Sequence, residues 1–376
     1  MNKAVNKVLV VGGGFSAMAA AIELRKRTIG VDLVEIDAGW RSYGAGISLG
    51  GATLRAFLTL GVLDEFLRRG DAHDNVDIHT AGNHHLATLP TPRIAAPDVP
   101  GGGAIMRPVL AAILAEATRA SGTDVRLGCT FKSIVQDADC VDVTFTDGDK
   151  ACYDLVIGAD GLYSTVREVL FPEAPAPRYT GQGVWRAVLP RAPEINTASM
   201  WLGPKIKAGV APVSSTEMYL YVTEDRAERA FIDPARFTTL LKDLLAPFDV
   251  PVLQRIRDQL GEHSQVIYRP LEGLLLPRPW HKGRVVLIGD TVHATTPHLA
   301  SGACIGIEDA IVLAEEIGRH ADVDTALNAF EERRWERCRM VVENSGRLGE
   351  IEITGGDKAE HGRIMRETLV ALANPI

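Results

Sequence analysis

The sequence predicts an α/β fold: a parallel sheet covered by helices, an inserted α+β domain built on an antiparallel sheet, and a C-terminal helical region. Two patterns predict it. A buried strand, a glycine turn and a helix follow one another at three places, as in parallel sheets, and short alternating strands fill the stretch between the second and third. The chain has 376 residues, 46% of them hydrophobic, which is enough for two lobes with a large core.

Composition excludes several classes of protein. The net charge is -8 and the basic residues are scattered, so we expect no nucleic-acid partner. Apolar stretches stop short of the ~20 residues that span a bilayer, and the opening residues do not resemble a signal peptide, so we expect no membrane partner and a cytoplasmic location. The five cysteines show no CxxC spacing, which predicts reduced thiols and no metal site.

The first glycine turn lies in KVLVVGGGFSAMAAAIELRKR. Gly12, Gly14 and Ala17 form a GxGxxA pattern, in which the glycines allow a tight turn and close approach of a diphosphate, and Ala17 allows tight packing of helix on strand. Glu35 ends the next strand, where its carboxylate would accept a hydrogen bond from a ribose hydroxyl. The alternative is a glycine turn joining two ordinary elements. The pattern predicts an adenine dinucleotide and does not separate NAD from FAD.

The second and third turns carry a family resemblance. YDLVIGADGLYSTVRE contains Asp160, and VVLIGD ends at Asp290. With the first turn, their order and spacing resemble the motifs of the single-component (class A) FAD-dependent aromatic hydroxylases, the p-hydroxybenzoate and salicylate hydroxylase group. The resemblance covers residue 7 to about residue 335 and implies a Rossmann-like FAD-binding domain of the GR2 type. It places Asp160 near the FAD diphosphate and the path of the pyridine nucleotide, and Asp290 on a ribityl hydroxyl.

The stretch after Asp290 is interpreted as the flavin seat. Pro297 would form a rigid wall at the isoalloxazine edge, and the amides of Gly302 and Ala303, at a helix N-terminus, would face the flavin edge that becomes negative on reduction. His298, which follows that proline, either faces the substrate or is an ordinary loop residue. For His293 we favour a structural contact.

Three further residues fit this interpretation. Arg41 resembles the family arginine near the diphosphate, Gly46 belongs to a small-residue loop beside the ring, and Arg107 resembles the arginine on the FAD chain; a salt-bridged surface position is the alternative for either arginine. Ala300 and Ser301 depart from the commoner glycine and glutamine of the family. This form is closer to the salicylate and hydroxynicotinate branches, which leaves substrate specificity open, whereas binding through backbone amides should survive the change.

The β-rich stretch predicts the substrate-binding domain. Trp185 or Arg186 on one strand, and Tyr219 or Tyr221 on another, are candidates for the cavity, with core packing as the alternative for the tyrosines. We expect the charged run FEERRWERCR to be a solvated helix face. The predicted domains are an FAD-binding domain (1–72, 101–178 and 266–324), a substrate-binding domain (73–100 and 179–265) and a C-terminal helical region (325–376).

The resemblance implies a monooxygenase that uses NAD(P)H and O2 to hydroxylate a small aromatic of the phenol, hydroxybenzoate or hydroxypyridine type through a flavin C4a-hydroperoxide. FAD is expected to bind non-covalently, NADH or NADPH transiently, and the chain to be a monomer or homodimer. His298 is the first candidate for the base, Tyr219 and Tyr221 the next. The alternatives are an FAD-dependent oxidoreductase of the same fold without oxygen insertion, such as a reductase or halogenase, and a non-catalytic FAD-binding protein.

Overall fold

The structure is a computed structural model that describes residues 5–376. The predicted start of the first domain, residues 1–4, lies outside the described residues. Among the helices of the described part, none has the length and hydropathy needed to cross a membrane.

Helices and strands follow one another along the described chain, and its last elements are all helices. The first half contains β1 (Lys7–Val11), α1 (Phe15–Lys26), β2 (Gly30–Glu35), β3 (Gly46–Gly50), α2 (Gly51–Leu60), α3 (Leu63–Arg69), β4 (Asp71–His73), β5 (Asn75–Thr80), β6 (His85–Pro90), β7 (Gly102–Met106), α4 (Arg107–Ala120), β8 (Asp124–Leu127), β9 (Phe131–Gln136), β10 (Val141–Phe145), β11 (Lys150–Tyr153), β12 (Leu155–Gly158) and α5 (Thr165–Leu170). The second half contains β13 (Arg178–Pro190), β14 (Ala198–Leu202), β15 (Ile206–Pro212), β16 (Glu217–Asp225), α6 (Phe237–Leu245), α7 (Pro251–Gln259), β17 (Val266–Gly273), β18 (His281–Lys282), β19 (Val285–Leu287), α8 (Asp290–His293), α9 (Gly302–Arg319), α10 (Val323–Thr354) and α11 (Lys358–Ala373).

A six-stranded sheet forms the centre of the first lobe, in the order β18-β19-β12-β1-β2-β8. Strands β19, β12, β1, β2 and β8 are parallel, and only the short edge strand β18 is antiparallel. Residues 8–11 of β1 are buried, as a strand covered on both faces requires. All three predicted glycine turns follow strands of this sheet, β1, β12 and β19, which confirms the Rossmann-like α/β fold.

A seven-stranded sheet, in the order β17-β13-β16-β15-β14-β5-β6, forms the second lobe. It is antiparallel except between β14 and β5, which run parallel. One face packs on α6 and α7 through residues such as Trp185, Met218 and Leu220. The opposite face carries Tyr219 and Tyr221 toward the first lobe, so alternation along β16 places the two tyrosines together as predicted.

Strand β17 lies in the segment predicted to return to the first lobe, yet it pairs with β13 in the seven-stranded sheet. Pairing with β13 satisfies the backbone hydrogen bonds of this strand before the chain returns to the first lobe. The domain boundaries as such stay a prediction.

The charged run near the start of α10 corrects one expectation. Arg334, in the middle of that run, is only 1% exposed, and its guanidinium donates to Asp309 (2.8 Å) and Glu308 (3.1 Å) on α9. Glu331 is also buried and accepts a hydrogen bond from the Trp280 amide. One face of the run is therefore a packed interface, where Asp309 and Glu308 pair Arg334 and His281 pairs Glu331, while Glu332 and Glu336 on the other face are exposed as expected.

Candidate flavin and substrate site

The loop between β1 and α1 needs its glycines for two different reasons. Gly12 has a φ of 109°, and a Cβ there would lie 2.4 Å from the Ala159 carbonyl oxygen, so both conformation and space require glycine. Gly14 caps α1, and no atom lies within 4 Å of where its Cβ would be. Ala17 is fully buried. The first-turn amides of α1 have no partner within the helix, and the open space at Gly14 lets a ligand approach the backbone closely, an arrangement suited to a diphosphate.

Glu35 lies beside this loop at the end of β2. One of its oxygens accepts a hydrogen bond from the Asp37 amide (2.7 Å), and the other would lie 2.7 Å from a Cβ at Gly13. The Trp40 indole donates to the Gly13 carbonyl oxygen (2.9 Å) and holds the loop in place. The half-buried carboxylate therefore lies next to the glycines, as a ribose partner must.

Asp290 and Arg107 bring opposite charges into one cleft. Asp290 begins α8, its side chain is solvent-accessible, and no described residue donates a hydrogen bond to it. Desolvation by the surrounding residues raises the pKa of Asp290, with His293 and Arg107 opposing the rise. Arg107 begins α4, and burial lowers its pKa while Asp290 and Tyr219 oppose the change. Neither charge is paired directly by a described residue, so both remain free to bind hydroxyls and anions.

The glycine turn that contains Asp160 is hydrogen-bonded to the turn that contains Asp290. The Asp160 carboxylate accepts hydrogen bonds from the Ser164 hydroxyl (2.5 Å) and the Thr165 amide (2.8 Å), and so caps α5. Arg167 donates to the Thr291 carbonyl oxygen (2.8 Å), directly after Asp290. Asp160 therefore orders the loop that holds Asp290; its predicted contact with cofactor or nucleotide stays a prediction.

The flavin-seat stretch folds as a turn leading into α9. Pro297 is exposed and opens a 3₁₀ turn, Ala300 follows in the left-handed region with a φ of 49°, and the Ser301 hydroxyl donates to the Leu299 carbonyl oxygen (2.7 Å). Helix α9 then begins at Gly302, so the amides at the predicted positions are the unpaired ones of a helix N-terminus.

His293 connects the glycine turn at Gly289 to helix α9. Its Nε2 lies 2.5 Å from an Asp309 oxygen that also accepts a hydrogen bond from the Gly289 amide (3.0 Å). Burial opposes the charged imidazole, but Asp309 outweighs burial and raises the pKa of His293 well above its usual value. The result is a buried ion pair between the glycine turn and α9, in agreement with the structural contact favoured from the sequence.

Tyr219, Tyr221 and Arg186 form the roof of the cleft. The Tyr219 hydroxyl is 2.6 Å from the Ser48 hydroxyl, and its ring packs so closely on Gly46 that a Cβ there would lie 2.3 Å from it. Tyr221 is half-buried, with its ring centroid 5.7 Å from that of Tyr219. Arg186 is the β13 residue paired with Tyr221, and burial lowers its pKa.

Of the two β13 candidates left open by the sequence, the structure selects Arg186. Trp185 is fully buried on the other face and donates from its indole to Glu224 (2.8 Å). No described residue pairs with the Arg186 guanidinium. Strand alternation alone could not make this choice, because either face of β13 could have faced the first lobe.

His298 does not lie where a substrate-facing residue would. Its side chain is 1% exposed and turned toward α10, with Nδ1 2.8 Å from the Thr296 hydroxyl and Nε2 3.5 Å from Glu352. Burial lowers its pKa, and the nearby Glu352 carboxylate opposes that change. The physical reason is Gly349 on α10, where a Cβ would lie 3.0 Å from the imidazole, so the helix leaves room for the ring.

Arg41 takes the surface position that was its alternative. Its side chain is 63% exposed and pairs with Asp37 at 2.8 Å. It does not join the group formed by Asp290 and Arg107, and its contact with a diphosphate stays a prediction.

Comparison with known proteins agrees with this geometry. A family model described as FAD binding domain matches residues 6–345. The chain is 32% identical over 355 residues to a 2-heptyl-3-hydroxy-4(1H)-quinolone synthase of Pseudomonas aeruginosa, covering 92% of this chain and 90% of the relative. It is 28% identical over 374 residues to a 3-hydroxybenzoate 6-hydroxylase of Polaromonas naphthalenivorans, covering 93% and 89%. The crystal structure of Klebsiella pneumoniae HpxO with FAD and uric acid superposes with a TM-score of 0.84 at 23% identity, covering 98% and 97% of the chains.

Proposed function

Because this chain belongs to the FAD-dependent aromatic hydroxylase family and carries its FAD binding domain, we propose that it uses NAD(P)H and O2 to hydroxylate a small ring compound that binds as an anion or an enol. One oxygen atom enters the ring and the other leaves as water, while NAD(P)H is oxidised to NAD(P)+. Bound FAD would supply the two-electron chemistry that activates dioxygen. The protein supplies binding, orientation and a dry site.

The FAD cradle combines hydrogen-bond donors with one acceptor, the Asp290 carboxylate. The first-turn amides of α1 would hold the diphosphate, Asp290 the ribityl chain, and the first-turn amides of α9 the negative edge of the reduced ring. Arg107 adds a positive charge in the same cleft. These groups are complementary to the polar parts of FAD, and we propose that they bind it without a covalent bond.

The Arg186 guanidinium is the observation that carries the proposed substrate class. It is a half-buried cation without a described partner, beside two phenols on the face of the sheet turned toward the first lobe. Removing such a cation from water without a partner is costly, and a bound anion would relieve that cost. A ring bearing an ionisable hydroxyl, or its keto form, fits this site. Quinolone, hydroxybenzoate and uric acid, named for similar proteins, are rings of this kind.

Tyr221 is the proposed hydrogen-bond donor to the ring oxygen. Burial raises its pKa, so the phenol keeps its proton at neutral pH, and no described residue occupies its hydroxyl. The Tyr219 hydroxyl is already engaged with Ser48. Arg186 would stabilise the anionic form of the substrate, which is the more reactive form. His298 would act on the substrate only indirectly, through the loop of Pro297.

The decisive experiment measures oxygen transfer. Purified protein should be yellow and should oxidise NAD(P)H faster in the presence of its aromatic substrate. With 18O2 the product should contain one labelled oxygen per NAD(P)H consumed. Substrate-dependent oxidation that leaves no label in any organic product would favour an oxidoreductase without oxygen insertion, and flavin that no aromatic affects would favour a binding protein. The preference for NADH or NADPH, the monomeric or homodimeric state, the cytoplasmic location and the reduced thiols stay predictions.

A further inference from the structure

Three potential metal ligands lie on one face of the small sheet formed by β9, β10 and β11. Asp142 on β10 pairs in register with Cys152 on β11, so their side chains point the same way. Cys140 precedes Asp142 by two residues and therefore shares that side of the strand. The two sulfur atoms and a carboxylate oxygen all lie within 4.8 Å of one another.

This face is open to ions in solution. Asp142 and Cys152 are exposed and Cys140 is half-buried, whereas Val141 and Val143, whose side chains point the other way, are buried in the core of the first lobe. The three ligands are therefore held by a strand pair whose opposite face is anchored. Their mutual distances follow from the register of a regular sheet and not from a flexible loop.

The surroundings of the cluster carry negative charge. Asp137 lies at the turn before Cys140 and accepts hydrogen bonds from the amides of Cys140 (2.9 Å) and Asp139 (2.8 Å). With Asp142, this places fixed carboxylates beside the two thiols. The negative charges of Asp137 and Asp142 favour a cation over a neutral ligand.

The ligand set indicates which cation. Two thiol sulfurs are soft donors, which select ions of the zinc class and disfavour Mg²⁺ and Ca²⁺. In a tetrahedral site with metal–sulfur distances of about 2.3 Å, two sulfurs lie about 3.8 Å apart. Closing a cluster whose atoms already lie within 4.8 Å therefore needs a shift of only about 1 Å. Water can take the fourth position.

Contrary to the absence of a metal site expected from the cysteine spacing, we propose that Cys140, Asp142 and Cys152 form a surface site for a thiophilic divalent cation of the zinc class, which joins β10 to β11. On binding, both thiols lose their protons to solvent and each sulfur forms one bond to the ion; no electron is transferred. The site is separate from the flavin cleft in its residues, and it does not depend on the proposed reaction.

The test is a titration of the reduced, FAD-loaded full chain with Zn²⁺ and, as a spectroscopic probe, with Co²⁺. One ion should bind per chain, and cobalt should give thiolate charge-transfer absorption. Cys152→Ser should weaken binding by about 100-fold or more and abolish that absorption, and Asp142→Asn should weaken it by roughly tenfold, in the range seen when groups of a metal site are removed. Cys129→Ser, a buried cysteine outside the cluster, is the matched control and should bind as wild type does.

Zinc should also raise the melting temperature of the wild type and of Cys129→Ser but not of Cys152→Ser. The proposal is overturned if no saturable binding is seen, or if Cys152→Ser keeps the wild-type affinity and cobalt spectrum, which would mean an adventitious ion only. It is equally overturned if the reduced protein binds no ion and air oxidation joins Cys140 to Cys152, since the pair would then be a disulfide.

Discussion

Asp290 offers a test of the cofactor cradle with a single carboxylate. Asp290→Ala removes an acceptor and leaves a ribityl hydroxyl without a partner in the cleft, at a cost of about 1 to 3 kcal/mol. FAD affinity should fall by roughly ten- to a hundredfold. The measurement is a titration of the apoprotein that follows flavin fluorescence.

Asp160→Ala is the informative comparison for Asp290. If Asp160 acts through its hydrogen bonds to the first turn of α5, its loss should lower the melting temperature of the FAD-free protein as well as FAD affinity. Asp290→Ala should lower FAD affinity with little change in the melting temperature of the FAD-free protein. Equal FAD affinity in wild type and Asp290→Ala would show that the Asp290 carboxylate does not bind FAD.

Tyr221 can be tested against its neighbour on the same face. Tyr221→Phe removes the hydroxyl that is free to reach a substrate, and we expect the ratio of hydroxylated product to NAD(P)H oxidised to fall by about tenfold or more. The remaining consumption should appear as hydrogen peroxide. Tyr219→Phe is the matched control, because its hydroxyl is engaged with Ser48; it should lower stability and change the ratio much less. The opposite ranking would contradict the roles proposed for the two tyrosines.

Residues within motifs were predictable from the sequence, and those fixed by distant packing were not. Gly12 and Asp290 lie where a strand ends, so local chain geometry already determines their surroundings. The orientation of His298 depends on Gly349 in a helix some fifty residues later, and the pairing of Arg41 depends on one rotamer at the surface. No local pattern encodes either.

Helix α10 connects the two lobes through Glu352. Its carboxylate lies 2.7 Å from the Lys207 ammonium on β15, 3.3 Å from His361 on α11 and 3.5 Å from His298. Burial would raise the pKa of Glu352, but the Lys207 ammonium and the imidazoles of His298 and His361 hold it well below its usual value. The helix thereby holds the loop of the flavin seat against the substrate sheet.

The pH dependence of stability should reveal this contact. A carboxyl group whose pKa is lower in the folded chain contributes all of its stabilisation above its unfolded pKa, about 4.3, and loses it as the pH falls toward the folded value. Wild type should therefore melt above Glu352→Gln at pH 7, and the difference should shrink as the pH falls below about 4.3. Glu350→Gln, on the solvent side of the same helix, is the matched control. A difference that stays constant down to pH 3 would show that Glu352 acts only through packing.

Charge patterns proved a poor guide to the packing of this helix. In the run around Arg334, the acids that pair with Arg333, Arg334 and Arg337 belong to α9, which packs on α10 only in the folded chain, whereas Arg339 pairs with glutamates of its own helix. A sequence shows that charges are present, but it does not show whether their partners are water or a neighbouring helix. The assignment of β17 to the first lobe was wrong for a similar reason. Its partner strand β13 is distant in the sequence and lies beside it only in the folded chain.

Two large sheets, one parallel and one mainly antiparallel, dominate the described part of the chain, and two three-stranded sheets accompany them. The parallel sheet could be predicted, because three turns repeat a pattern that only parallel strands with crossover helices satisfy. The antiparallel sheet followed from alternation, and residues 73–100 were assigned to the same domain, but the order of its strands, with β5 and β6 beyond β14, was not predicted. Such pairing depends on long-range closure of the chain, which leaves no local signature.

FAD should stabilise this assembly as a unit, because its predicted contacts come from α1, α4, α8 and α9 and its ring would lie under the roof formed by Arg186 and Tyr221. With free FAD at about one hundred times its dissociation constant, the folded state gains about 2.7 kcal/mol, and the melting temperature should rise by on the order of 5 °C. Unfolding should be followed by far-ultraviolet circular dichroism and by release of flavin fluorescence. Coincident transitions are expected for the loaded protein, and Asp290→Ala should show a smaller shift at the same FAD concentration. A far-ultraviolet transition that FAD does not move would mean that the flavin binds to a chain whose two lobes unfold without it.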